Sequence, residues 1–143
     1  MQKTVNLMLA GLEAYAVRQE LHDYFACFCE ADGKVRSKNT RTFLINNLIR
    51  IWVDPERELV AFRDAALEIL RRNTNQALPV HWAMISAAYP FWFNIAKQTG
   101  RLLSLQDQVT QLQIINRIKE QYGDRQTIRR YAQYVHKDIK VWN

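Results

Sequence analysis

The sequence predicts an all-α protein, a compact bundle of six to seven helices that ends in a basic helix-turn-helix-like pair. Three observations carry that expectation. Only four Gly and three Pro occur in 143 residues, too few turn formers for the many short connections of a β-sandwich or barrel. Apolar residues recur at three- and four-residue spacing through most of the chain. They make up 48% of the sequence against 24% charged, which is enough to fill a core and excludes the composition of a disordered chain. This length suits a single helical domain, 1–143. Within it, 1–99 reads as a helical bundle and 100–143 as a helix-turn-helix-like module.

The first periodic segment runs from Val5 to about Ala31 through Leu9, Leu12, Ala16, Leu21, Phe25 and Phe28, and Ala31-Asp32-Gly33 stops it. After the polar stretch Lys34–Asn39, periodicity resumes over Thr40–Val53 with Phe43, Leu44, Leu48, Ile51 and Trp52. Asp54-Pro55 breaks that helix, and Pro55 suits the first turn of the next, Glu56–Arg72. That helix opens on acids and closes on Arg71 and Arg72, in keeping with its dipole. Pro79 opens an aromatic segment that reaches Gly100 and is split or kinked at Pro90. A short helix over Arg101–Leu105 and a longer one over Val109–Tyr122 follow, then the Gly123-Asp124 turn and a last helix over Gln126–Lys140.

Charge is unevenly spread. The chain carries a formal +6, and residues 100–143 hold eight Lys/Arg against four Asp/Glu. A local basic excess points to a polyanion or an acidic surface as partner. Membrane insertion is not expected, since the longest apolar stretch, Trp82–Ala96, is interrupted by Ser86, Pro90 and Asn94 and falls short of the roughly 20 residues a span needs. No signal peptide is read at the N-terminus, where Glu13 and Arg18 follow the apolar Val5–Leu12. Cys27 and Cys29 stand two apart, on different faces of a helix, so they neither pair nor chelate well. A reducing, cytoplasmic location is therefore expected.

The C-terminal helix carries the functional expectation. On a wheel of about 100° per residue, Ile128, Tyr131, Ala132, Val135, Ile139 and Trp142 fall on one side. Arg125, Arg129, Arg130, Gln133, His136, Lys137 and Lys140 fall on the opposing arc, with no acid among them. The preceding helix offers Leu112, Ile115, Ile118 and Tyr122 as its inward face, and Gly123 can take a positive φ at the turn between the two. Lys119 departs from the helix-turn-helix pattern, which places a small residue four positions before the turn glycine. Arg and Lys on one helical face neutralise phosphates and release counterions, while Arg and Gln reach base edges in the major groove. The expected nucleic-acid contacts are Arg125, Arg129, Arg130, Gln133, Lys137 and Lys140. Lys34, Arg36, Lys38 and Arg41 form a second basic cluster suited to a backbone phosphate.

Other features read as structural. The aromatics His81-Trp82 and Tyr89-Pro90-Phe91-Trp92-Phe93 are dense on apolar helix and are expected in the core. His22, His81 and His136 lie in separate segments without metal-ligand spacing. No nucleophile elbow, phosphate-binding loop or dinucleotide fingerprint occurs. The sequence thus gives no reason to expect catalysis, a cofactor or a metal.

The order of these features resembles a known family. Thr40-Arg41-Thr42-Phe43-Leu44 leading to Arg50-Ile51-Trp52, then His81-Trp82 with Tyr89-Pro90-Phe91, then the basic C-terminal helix pair, is similar to the BrxA-like proteins of BREX phage-exclusion systems. The resemblance covers about residues 34–140. It implies a NusB-like helical bundle with a winged-helix-type element, and a non-catalytic DNA-binding accessory to a bacterial defence complex. Double-stranded DNA is expected ahead of RNA. The competing expectations are a protein-interaction subunit of a larger complex and a bundle that binds structured RNA.

Overall fold

The computed structural model describes residues 1–27, 35 and 37–123. Among them are seven α-helices and no strand, in agreement with the all-α expectation. The chain forms two compact units, Met1–Ala88 and Tyr89–Asn143.

The first unit contains α1 (Gln2–Leu9), α2 (Ala14–Cys27), α3 (Lys38–Leu48), α4 (Val60–Arg72) and α5 (Ala77–Ala88). The sequence reads α1 and α2 as one helix, but Gly11 divides them at φ +83°. The Gly11 N–H donates to Met8 O at 2.9 Å and the Leu12 N–H to Leu7 O at 3.2 Å, the paired bonds of a Schellman motif. Leu12 then packs back onto the cluster that contains Leu7. The expected stop at 31–33, like Cys29, lies outside the described residues.

Ser37 caps α3, its Oγ accepting from the Thr40 N–H at 3.2 Å. The helix passes into a π-helical turn, Ile49–Val53, closed by the Asp54 N–H on Ile49 O at 2.8 Å. Arg63 of α4 donates from Nη1 to the carbonyls of Trp52 and Val53, at 2.8 and 3.1 Å. A guanidinium thereby satisfies carbonyls that the π-turn leaves without a partner. Helix α4 begins later than its sequence indicates: Arg57–Leu59 is a 3-10 turn, and Pro55 lies in the link between it and the bend at Asp54. The core joins Leu7, Val17, Leu21, Ile45, Leu48 and Ile49, each burial worth about 1.5–3 kcal/mol. Phe43, by contrast, is 65% exposed, and Ile45 takes the inward position on α3.

Helix α5 starts at Ala77, so Pro79 sits inside its first turn, where the missing N–H costs nothing. Its buried residues are His81, Met84 and Ala88; Trp82 is half-buried.

The second unit contains α6 (Pro90–Leu103) and α7 (Gln111–Tyr122). Pro90 ends one helix and begins the next, at the first position of α6. The segment Arg101–Leu105 forms no helix of its own: α6 runs through Gly100 to Leu103. Thr110 opens α7 with a capping box. Its Oγ1 accepts from the Gln113 N–H at 3.3 Å, and Gln113 Oε1 accepts from the Thr110 N–H at 2.8 Å. Ile95, Ile114, Ile115 and Ile118 form the core, with Phe91 and Trp92 packed against it. The inward face of α7 is therefore 114, 115 and 118. Leu112 is 65% exposed and Tyr122 37% exposed, although the sequence pattern assigns both to the inner face. Leu112 lies in the first turn of α7, beside the capping box and outside the packed 114, 115, 118 face.

Candidate nucleic-acid interface

The expected contacts divide by where they fall. Arg125, Arg129, Arg130, Gln133, Lys137 and Lys140 lie outside the described residues, as do Lys34 and Arg36. Lys38 and Arg41 lie on the first turn of α3, one exposed and one half-buried. That turn carries no acid. Two cations beside the free N–H groups of a helix start give a locally positive end, in the Met1–Ala88 unit.

The turn before the basic C-terminal segment is well defined. Helix α7 ends at Gly123, whose N–H donates to Lys119 O at 2.7 Å. Gly123 takes φ +82° and ψ 167°, a combination open in practice only to glycine. Tyr122, immediately before it, is fixed from α6 twice. Asn94 Nδ2 donates to the Tyr122 hydroxyl, and the Phe91 ring meets the Tyr122 ring edge-on at 5.4 Å. Side chains of α6 thus hold the C-terminal end of α7.

A groove of about 530 Å³ runs between α6 and α7. Lys97 and Arg101 enter it from one helix, four residues apart on one face, and Arg117 from the other. Gln98 and Gln121 add amide donors. Lys97 Nζ lies 5.9 Å from the centre of the Phe93 ring. Among the described residues the one acid at the groove is Glu120, which accepts from Arg117 Nη1 at 3.1 Å. Both partners are more than half exposed, so the pair contributes little stability.

Lys97, Arg101 and Arg117 do not figure among the contacts read from the sequence. The signal was present, because Pro90–Leu103 contains no Asp or Glu while Lys97 and Arg101 share a face. A boundary placed at Gly100 cuts that helix in two and hides the pairing. The compact unit that starts at Tyr89 also sharpens the charge asymmetry. Tyr89–Asn143 carries nine Lys/Arg against four Asp/Glu, and Met1–Ala88 eleven against ten.

His81 is buried on α5. Its Nε2 lies 3.0 Å from Gln2 Oε1, and its ring meets Trp52 edge-on at 5.3 Å. Burial, and secondly the nearby α-amino group of Met1, lower its pKa to about 4. A neutral imidazole in this setting holds α1 to α5. Among the described residues no three His, Cys, Asp or Glu side chains are grouped to hold a metal ion, and no helix is long and apolar enough to cross a membrane. Comparison with protein-family models, curated proteins and solved structures finds no match.

Proposed function

We propose that the protein is a non-catalytic nucleic-acid-binding protein that engages duplex DNA through the Tyr89–Asn143 unit. The observation that carries the reading is the segregation of charge: this unit holds +5 of the formal +6, nine Lys/Arg against four Asp/Glu. Polyanion binding draws its affinity from cations gathered in this way, and a solvated surface has no need to gather them. Two features add support. Three cations already line the α6–α7 groove, and the glycine turn after α7 is followed in the sequence by the expected contacts Arg125, Arg129, Arg130, Gln133, Lys137 and Lys140. The resemblance to BrxA-like proteins extends the proposal to an accessory role in phage defence inside a bacterial cytoplasm.

Salt dependence tests the reading. Each phosphate neutralised on B-DNA contributes about −0.9 to the slope of log K against log salt. Four or five contacts give a slope near −4, and reversing Arg129 and Arg130 to Glu should weaken binding strongly without lowering the melting temperature. A structured-RNA competitor that displaces duplex DNA at equal concentration would move the proposal to RNA. Absence of binding to either at about 50 mM salt would overturn it. The competing protein-interaction reading would then lead. It is favoured by Phe62 and Ile69, 44% and 46% exposed on one face of α4 with exposed Ala65 between them.

A further inference from the structure

We infer that Lys97, Arg101 and Arg117 form a phosphate seat that holds a stretch of nucleic-acid backbone in the groove between α6 and α7. The inference rests on the nucleic-acid reading above and adds to it a second helix, α6, as a contact element.

The comparison between α4 and α6 carries the argument. Both helices present two cations close together near their C-terminal halves. On α4, Glu68 takes both of them, Arg71 at 2.8 Å and Arg72 at 2.5 Å. The carboxyl of Glu68 is held below its usual pKa chiefly by those two hydrogen bonds. This is the arrangement of a solvated helix face, with its charges balanced locally. On α6 nothing plays that part. Its fourteen residues contain no acid, and Lys97 and Arg101 have no acidic partner among the described residues. Like charges four apart on a helix disfavour it by a few tenths of a kcal/mol. Arg117 faces the pair from α7, and Glu120 engages only one of its terminal nitrogens. Among the described residues the groove therefore holds three cations and one acid in about 530 Å³.

The ligand chemistry follows from the donors. Guanidinium groups offer forked N–H pairs that match phosphate oxygens, an ammonium adds a point charge, and Gln98 and Gln121 can donate to the remaining oxygens. Lys97 and Arg101 stand about 6 Å apart along the helix, at 1.5 Å per residue. They can meet separate phosphates of one strand. The seat lacks any buried polar side chain that would select a small anion, so it suits a charged backbone lying along an open groove.

The test uses the full chain and a fluorescein-labelled 20-bp duplex, with affinity read by anisotropy from about 50 to 300 mM NaCl. Lys97→Gln with Arg101→Gln should reduce the salt slope by about 1.8, at 0.9 for each lost contact. Arg71→Gln with Arg72→Gln removes the same charge from α4 and should leave the slope unchanged. Circular dichroism and melting curves confirm folding, and should the double variant fail to fold, Arg117→Gln alone should reduce the slope by about 0.9. A wild-type protein that binds DNA with a slope untouched by the groove variants overturns the seat and leaves the nucleic-acid reading standing. An equal reduction from the α4 variant also overturns it, since net charge would then account for the effect. A wild-type protein that binds no nucleic acid overturns both.

Discussion

At the scale of single residues, Gln2 decides which nitrogen of His81 carries the proton. Gln2 Nε2 donates to Asn6 Oδ1 at 2.9 Å, which turns Oε1 toward the imidazole. An amide oxygen only accepts, so His81 Nε2 is the protonated nitrogen and Nδ1 is left with a lone pair. Nδ1 is buried and has no hydrogen-bond partner among the described residues. Charging the ring would place a second buried N–H there, beside an edge-on indole. The folded-state pKa of about 4 lies below the ordinary value near 6.5, so between these values the unfolded chain binds more protons. Stability is then full above about pH 6.5 and falls as the pH drops toward 4, by at most about 1.4 kcal/mol per pH unit. Urea midpoints at pH 7 and pH 4.5 should show that loss, and His81→Gln should shrink the difference between them. An unchanged difference in the variant would assign the acid sensitivity to other groups.

At the scale of elements, two glycines of the α6–α7 pair show how much the sequence discloses. Gly100 looks like a boundary in the sequence, yet it lies inside α6 with no atom near its missing Cβ. Gly123 looks like a turn and is one, at φ +82°. Composition and spacing distinguish these cases poorly, because a helical glycine and a turn glycine differ in backbone conformation and not in identity. Substitution should separate them by sign. Gly100→Ala should raise stability by about 0.5–1 kcal/mol, through reduced unfolded-state freedom. Gly123→Ala should lower it by about 1–3 kcal/mol, through forced strain. Melting curves that move in the same direction for both would contradict the assigned conformations. Among the described residues helix existence was otherwise legible, since apolar spacing located the α-helices apart from the division at Gly11 and the extra short helix expected over Arg101–Leu105. Helix faces were less so. Leu112 and Phe43 fit an apolar stripe on a wheel, yet both are 65% exposed, because a wheel shows which residues share a face and not which neighbours cover it. The capping box itself is written in the sequence as Thr110-x-x-Gln113. The groove cations were hidden for the same reason as the course of α6: their pairing exists only when Lys97 and Arg101 belong to one helix.

At the scale of the whole molecule, each compact unit has its own core and most of the charge excess sits in one of them. The Met1–Ala88 unit is built on Leu7, Val17, Leu21, Ile45, Leu48 and Ile49, and the other on Ile95, Ile114, Ile115 and Ile118. Units with separate cores need not unfold in one cooperative step. A ligand that binds only one unit should therefore stabilise that unit alone. At a free duplex concentration of 100 times Kd, linkage contributes about 2.7 kcal/mol to the unit that binds. Native-state hydrogen exchange can read this separately in each core. Amides of Ile114, Ile115 and Ile118 should exchange about 100-fold more slowly with DNA present, while those of Val17, Leu21 and Ile45 should keep their rates. Slowing confined to the second set would place the contact on Met1–Ala88, where Lys38 and Arg41 are the basic candidates on α3. Equal slowing in both sets would show that the two cores open together, and the charge segregation would then not correspond to a separable binding unit.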